Sequence, residues 1–146
     1  MKLSALVLTI GLAVVLAACK TPEGAYVAVA TPDSPEAAGA PIVLLSHDLI
    51  RTVAVDKAPL VDRDPSGRLR IQVGLRNRSD EENLQVQAQT LWMDDAGRVL
   101  YSEIGSEAPW QSFSISLNQT IYYTQTALTP EATRFTVRVR YTAKTR

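Results

Sequence analysis

Thiols and imidazoles are nearly missing from this chain: 146 residues hold one cysteine, Cys19, and one histidine, His47. A single thiol cannot close an internal disulfide or build a cysteine-based metal cage, and once acylated it is lost to catalysis. Gly-x-Ser-x-Gly, His-Glu-x-x-His and Cys-x-x-Cys do not occur. His47 stands beside Asp48, but neighbours along a chain seldom point at a common target, so catalysis through that pair is not expected. No excess of either charge is present: 15 Lys+Arg face 15 Asp+Glu, with formal net charge +0. That balance argues against a general nucleic-acid binder. Neither enzyme nor cofactor nor metal is expected.

Only one long apolar run occurs, and it is near the start. Lys2 precedes an almost uncharged stretch, Leu3 to Val15. This reads as an export signal whose apolar centre is short of the ~20 residues of a comfortable membrane span. The run closes on Leu16-Ala17-Ala18-Cys19, which resembles a bacterial lipobox. That resemblance implies a diacylglyceryl group on the Cys19 thiol, removal of residues 1–18 as signal peptide, and acylation of the new amine. Three acyl chains exceed the two hydrophobic signals that stable anchoring takes. Lys20 stands where enterobacterial-type sorting uses aspartate for inner-membrane retention, so the expected location is the outer membrane, with the domain facing the periplasm.

Residues 19–41 form the expected lipidated cysteine and tether. Pro22, Pro32, Pro35 and Pro41 with Gly24, Gly39 and several alanines leave too few apolar residues to bury, and some 20 residues of flexible chain average roughly 25 Å end to end. The texture changes at residue 42. Ile42-Val43-Leu44-Leu45 is an opening strand, and a second is expected from Asp48 through Val55 to Lys57, broken by Pro59, with helix only as a turn near Ser46 to Leu49. The clearest alternation is Arg68 to Arg76, with Leu69, Ile71, Val73 and Leu75 on one face. In its match, Leu84 to Met93, Leu84, Val86, Ala88, Thr90 and Trp92 oppose Gln85, Gln87 and Gln89. Arg98 to Tyr101, Phe113 to Leu117, Thr120 to Leu128 and Thr133 to Thr142 complete seven or eight short strands. Their spacing predicts an all-β antiparallel sandwich filling residues 42–146.

The series Arg68-Leu-Arg-Ile-Gln-Val-Gly-Leu-Arg-Asn-Arg-Ser79, Leu91-Trp-Met-Asp-Asp-Ala-Gly97, Pro109-Trp110 and Pro130-Glu-Ala-Thr-Arg-Phe135 resembles the YcfL family of uncharacterised bacterial lipoproteins. The likeness runs over roughly residues 47 to 142. It implies an immunoglobulin-like sandwich in the cell envelope and carries no established activity.

Trp92 is expected to fill the sandwich centre, as a strand tryptophan does in immunoglobulin-like folds. Trp110, after a proline in an irregular segment, is read as either packing or an exposed binding residue. Asp62, Asp64 and Ser66 ahead of Gly67 echo half a calcium loop, but Val73 stands where the bidentate glutamate belongs, so a turn is expected. Near the end, Arg134, Arg138, Arg140, Lys144 and Arg146 face only Glu131. If their strand lies at a sheet edge, one reading is that these charges discourage edge-to-edge aggregation; the functional reading is that Arg134, Arg138 and Arg140 offer a basic rail for carboxylates or phosphates, with Trp110 a further candidate partner-binding residue. The function expected is a non-enzymatic lipoprotein, held to the membrane by Cys19, whose sandwich binds an envelope protein; a ligand such as peptidoglycan is the alternative, favoured by a polar pocket around Trp110 and Tyr101. A Cys19→Ser variant is expected to lose metabolic fatty-acid labelling and to accumulate as precursor, because a hydroxyl does not replace the thiolate. A processed, unlabelled wild-type protein would refute the lipobox reading.

Overall fold

The computed structural model describes residues 29–30, 40–100 and 108–142. The signal segment, Cys19, most of the tether, Tyr101, Lys144 and Arg146 lie outside the described residues. Among those described are ten strands and one short helix: β1 (Val29–Ala30), β2 (Ile42–Leu44), α1 (His47–Thr52), β3 (Val53–Val55), β4 (Leu60–Arg63), β5 (Leu69–Asn77), β6 (Asn83–Met93), β7 (Val99–Leu100), β8 (Gln111–Ser116), β9 (Thr120–Thr126) and β10 (Arg134–Tyr141).

These strands form the two sheets of an all-β sandwich. The first runs β1-β2-β10-β6, with β7 and β8 sharing the far side of β6; in the second, β5 pairs with β3 and β4 and with β9. Most pairings are antiparallel, but β2 runs parallel to both β1 and β10. The alternation fixes what lies between the sheets. Ile71, Val73 and Leu75 of β5 meet Leu84, Val86 and Ala88 of β6, Ile115 of β8, and Val137 and Val139 of β10, all buried. Each valine, leucine or isoleucine among them contributes about 1.5–3 kcal/mol through burial.

Several expectations are corrected. The stretch from His47 to Thr52 is helical rather than extended: the Ser46 hydroxyl accepts from the Asp48 amide at 3.3 Å, Asp48 sits in the first turn, and Arg51 in the last. Cap and charges suit a helix dipole, and buried Leu49 pins the turn to the core. The second strand is therefore split into β3 and β4 around Pro59. β10 is not an edge strand; β2 and β6 flank it, so its arginines do not guard an open edge. Trp92 does not fill the centre. As the next-to-last residue of β6 it is only partly buried, and it joins the main core to a second cluster of Leu69, Ala127 and Ala132. Its ring lies 6.4 Å from that of Phe135.

Two hairpin turns share one construction. In Asp64-Pro-Ser-Gly67-Arg68 and in Asp94-Asp-Ala-Gly97-Arg98 the glycine takes φ +78° and +77° respectively, which a Cβ would oppose. Each aspartate accepts the backbone N–H and the guanidinium of the arginine four residues on. Asp62 likewise receives the fork of Arg70, so the arginine fork holds its carboxyl below the usual carboxylate range. Both carboxylates of the half calcium loop are thus engaged by arginines, and the segment is a turn.

Asn77 ties the sheets together. Fully buried at the end of β5, it donates to the carbonyls of Glu81 and Ile115, both at 2.9 Å, and accepts from the Ser79 amide and hydroxyl at 2.9 and 2.7 Å. One amide therefore shapes the β5–β6 loop and reaches across to β8. Asn77→Ala is expected to cost roughly 2–4 kcal/mol, since buried groups lose their partners. A thermal melt checks it, with exposed Ser66→Ala expected to change stability by no more than about 0.5 kcal/mol.

Candidate functional site

Side chains of β10 alternate between core and exterior, so Val137 and Val139 point inward while Arg134, Thr136, Arg138 and Arg140 point out of the first sheet. Register decides what they meet. β10 pairs with β6 so that Arg138 faces Gln89 and Arg140 faces Gln87. On the other side of β6, β8 places Ser112 opposite Gln87 and Ser114 opposite Gln85, with Ala88↔Gln111 as the last pair. One step further along that register, Trp110 stands across from Gln89.

Hydrogen bonds run across these three strands as a polar ladder. Gln85 donates to Ser114 at 2.7 Å, and Gln87 donates to Ser112 at 3.1 Å while accepting from Arg140 Nε at 2.8 Å. Gln89 donates to the carbonyl of Ala108 and accepts from Arg138 Nη1 at 3.3 Å. Unlike its neighbours, Gln89 is fully buried. It holds the segment leading into β8, and that segment carries Trp110 over the sheet.

The ring of Trp110 reaches across β6 to the arginines. Arg140 lies over it with the guanidinium carbon 3.9 Å from the ring centroid, and Arg138 at 5.7 Å. Cation–π contacts at such sites contribute about 0.5–1 kcal/mol each. Side chains two apart on a strand are separated by about 6.6–7 Å, where two positive charges repel by about 2.5 kcal/mol at the dielectric of a protein surface. The ring and the two glutamine oxygens therefore roughly offset the repulsion without neutralising it. Among the described residues, no carboxylate lies within ion-pair distance of either guanidinium. On the outer face of the second sheet, by contrast, Arg70 is matched by Asp62.

The structure thus brings Trp110, Arg138 and Arg140 into one cluster. Arg134 shares their face but sits at the start of β10 opposite Met93, outside the ladder. Gln89 escaped sequence reasoning: in the run Gln85-Val-Gln87-Ala-Gln89 nothing tells which glutamine will be covered. Among the described residues no set of three metal-ligating side chains comes together, and no helix is long and apolar enough to cross a membrane.

Gln89→Leu is expected to loosen the Trp110 segment at a cost of about 1–2 kcal/mol. In a Trp92→Phe background, acrylamide quenching of the remaining tryptophan is expected to rise. Unchanged quenching would show that Gln89 does not hold the ring.

Two solved structures resemble this fold. The Campylobacter jejuni protein cj0090 superposes with TM-score 0.56 at 20% identity, over 70% of this chain and 98% of its own. A DUF1425 family member from Shewanella sp. pv-4 gives TM-score 0.53 at 23% identity, over 62% of this chain and 78% of its own. At these identities the likeness is one of fold. No curated protein matches the chain. Residues 41–141, nearly the whole sandwich, match the family model described as protein of unknown function DUF1425, and the chain belongs to that family.

Proposed function

We propose that the protein is a non-enzymatic binding module of the cell envelope, anchored in the outer membrane through acyl chains on Cys19 and facing the periplasm. Its outer face around Trp110, Arg138 and Arg140 binds a carboxylate-bearing surface of another envelope protein. The observation that carries this reading is the pair of arginines stacked on one tryptophan and braced by Gln87 and Gln89, with no carboxylate counter-ion among the described residues. A bound carboxylate relieves the residual repulsion and takes the bidentate fork that arginine offers. The side chains are already positioned, so less rotamer entropy is lost on binding. The lipobox and the likeness to YcfL lipoproteins support the location.

A second reading uses the same groups. Peptidoglycan carries carboxylates, and an aromatic plane beside arginines suits a sugar polymer with acidic side groups. Cross-linking in cells and pull-down on isolated sacculi separate the two.

Replacing Arg138 and Arg140 together with glutamine is expected to change stability by less than about 1 kcal/mol, because the lost cation–π contacts are offset by the removed repulsion and the exposed Arg140 contributes little. The same double change is expected to weaken the salt-sensitive complex with the cross-linked protein on the order of tenfold or more. Undiminished cross-linking with a normal melt would overturn the reading.

A further inference from the structure

Beside the arginine face the two sheets part and leave a pocket of about 410 Å³. β6 and β7 supply Trp92, Val99 and Leu100 to its wall, and the second sheet supplies Tyr123, with Leu128 just beyond β9. Its chemistry is one-sided: among the described residues lining it there is no lysine, arginine, aspartate or glutamate. The hydroxyls of Thr90 and Tyr123 answer each other at 3.0 Å, and burial pushes the Tyr123 phenol up, so this group stays neutral. Gln125 donates to Gln111 at 2.9 Å, bridging the sheets with an amide pair. Such a wall repels ions and accepts an apolar body with an amide at its edge.

Trp110 belongs to both places. It lines the pocket and it carries Arg138 and Arg140. We infer that the pocket receives one bulky uncharged side chain, leucine- or phenylalanine-like, from a protein segment whose neighbouring carboxylates engage the two arginines. This rests on the arginine-face reading above and adds the chemistry of the second half of the epitope. Charge complementarity selects the occupant: an apolar group alone leaves the arginines unanswered, and an anionic ligand alone meets no counter-charge among the described residues lining the pocket. A water's share of liquid is about 30 Å³, so the volume corresponds to roughly a dozen waters, enough for a large side chain and its adjoining amide. Leu128 is 68% exposed and Tyr122 67%, but only Leu128 lines this pocket. An exposed leucine at a concave apolar site is what a partner's side chain would cover.

The chain has two tryptophans, Trp92 and Trp110, and both line the pocket. Full-length lipidated protein in nanodiscs, labelled with 5-fluorotryptophan, therefore gives two fluorine resonances, assigned through Trp92→Phe and Trp110→Phe. Three blocked peptides serve as probes: Ac-Phe-Glu-Glu-NH2, Ac-Phe-Gln-Gln-NH2 and Ac-Ala-Glu-Glu-NH2. The first is expected to shift the Trp92 line saturably and to bind about tenfold more tightly than either of the others. Leu128→Arg is expected to abolish the Trp92 shift with an unchanged melt. Arg138→Gln with Arg140→Gln is expected to erase only the advantage of Phe-Glu-Glu over Phe-Gln-Gln. A Trp92 line that stays still with all three peptides, or that still moves in Leu128→Arg, overturns the pocket assignment and leaves the arginine face untouched. Equal binding of the Glu and Gln peptides overturns the arginine face instead. Movement with soluble peptidoglycan fragments and with no peptide assigns the pocket to a sugar polymer and overturns the proposal.

Discussion

Everything distinctive about this sandwich hangs on the register of β10 against β6. Eight consecutive pairs, from Arg134↔Met93 to Tyr141↔Val86, hold it. Because side chains alternate with a period of two, a slip of one residue would expose Val137 and Val139 and drive Arg138 and Arg140 into the core. The desolvation cost of two unpaired guanidiniums far exceeds anything a slipped ladder could recover. Core and face are thus specified by one constraint. The valines choose the register, and that register delivers the arginines to Gln87 and Gln89.

Strand-level order was legible in the sequence because it is local. Alternation in β5, β6 and β10 named the buried faces correctly, and the two Asp-x-x-Gly-Arg turns announced themselves through glycine and aspartate. What stayed hidden was non-local. Whether β10 stands inside a sheet or at its edge depends on where Ile42–Leu44 docks, nearly a hundred residues earlier. Trp92 was placed on the right face, but strand parity says nothing of how far along the sheet the core extends; at the end of β6 the ring covers a seam. Gln89 is the sharper case. Its burial comes from the chain around Ala108 lying over it, and no pattern within β6 encodes that. For the helix at His47–Thr52, the Ser46 cap and the Asp48–Arg51 charge order were visible, yet the apolar residues around them matched a strand equally well.

The candidate site follows the same division. Arginines at 138 and 140 were marked by parity, and Trp110 by its irregular surroundings. Their meeting required β8 and β10 to flank the same strand. The family assignment covers residues 41–141, and the structures at 20% and 23% identity share the architecture of the sandwich. Site chemistry at these distances has to be read from this chain's own side chains.

The two-residue strand β1 bears on the proposed attachment. Val29 and Ala30 pair alongside Ile42 and Val43 at the outer margin of the first sheet, within the stretch whose composition suggests a loose tether. In a chain held at Cys19, ten residue steps separate that anchor from Val29. Ten residues drawn out at about 3.3–3.6 Å each reach roughly 35 Å. Unzipping that short pairing would lengthen the span to Pro41, about 75 Å at full stretch. Under the proposed anchoring at Cys19, two residues of ladder would act as a length stop on a line, and their release would double the largest radius the domain could sweep.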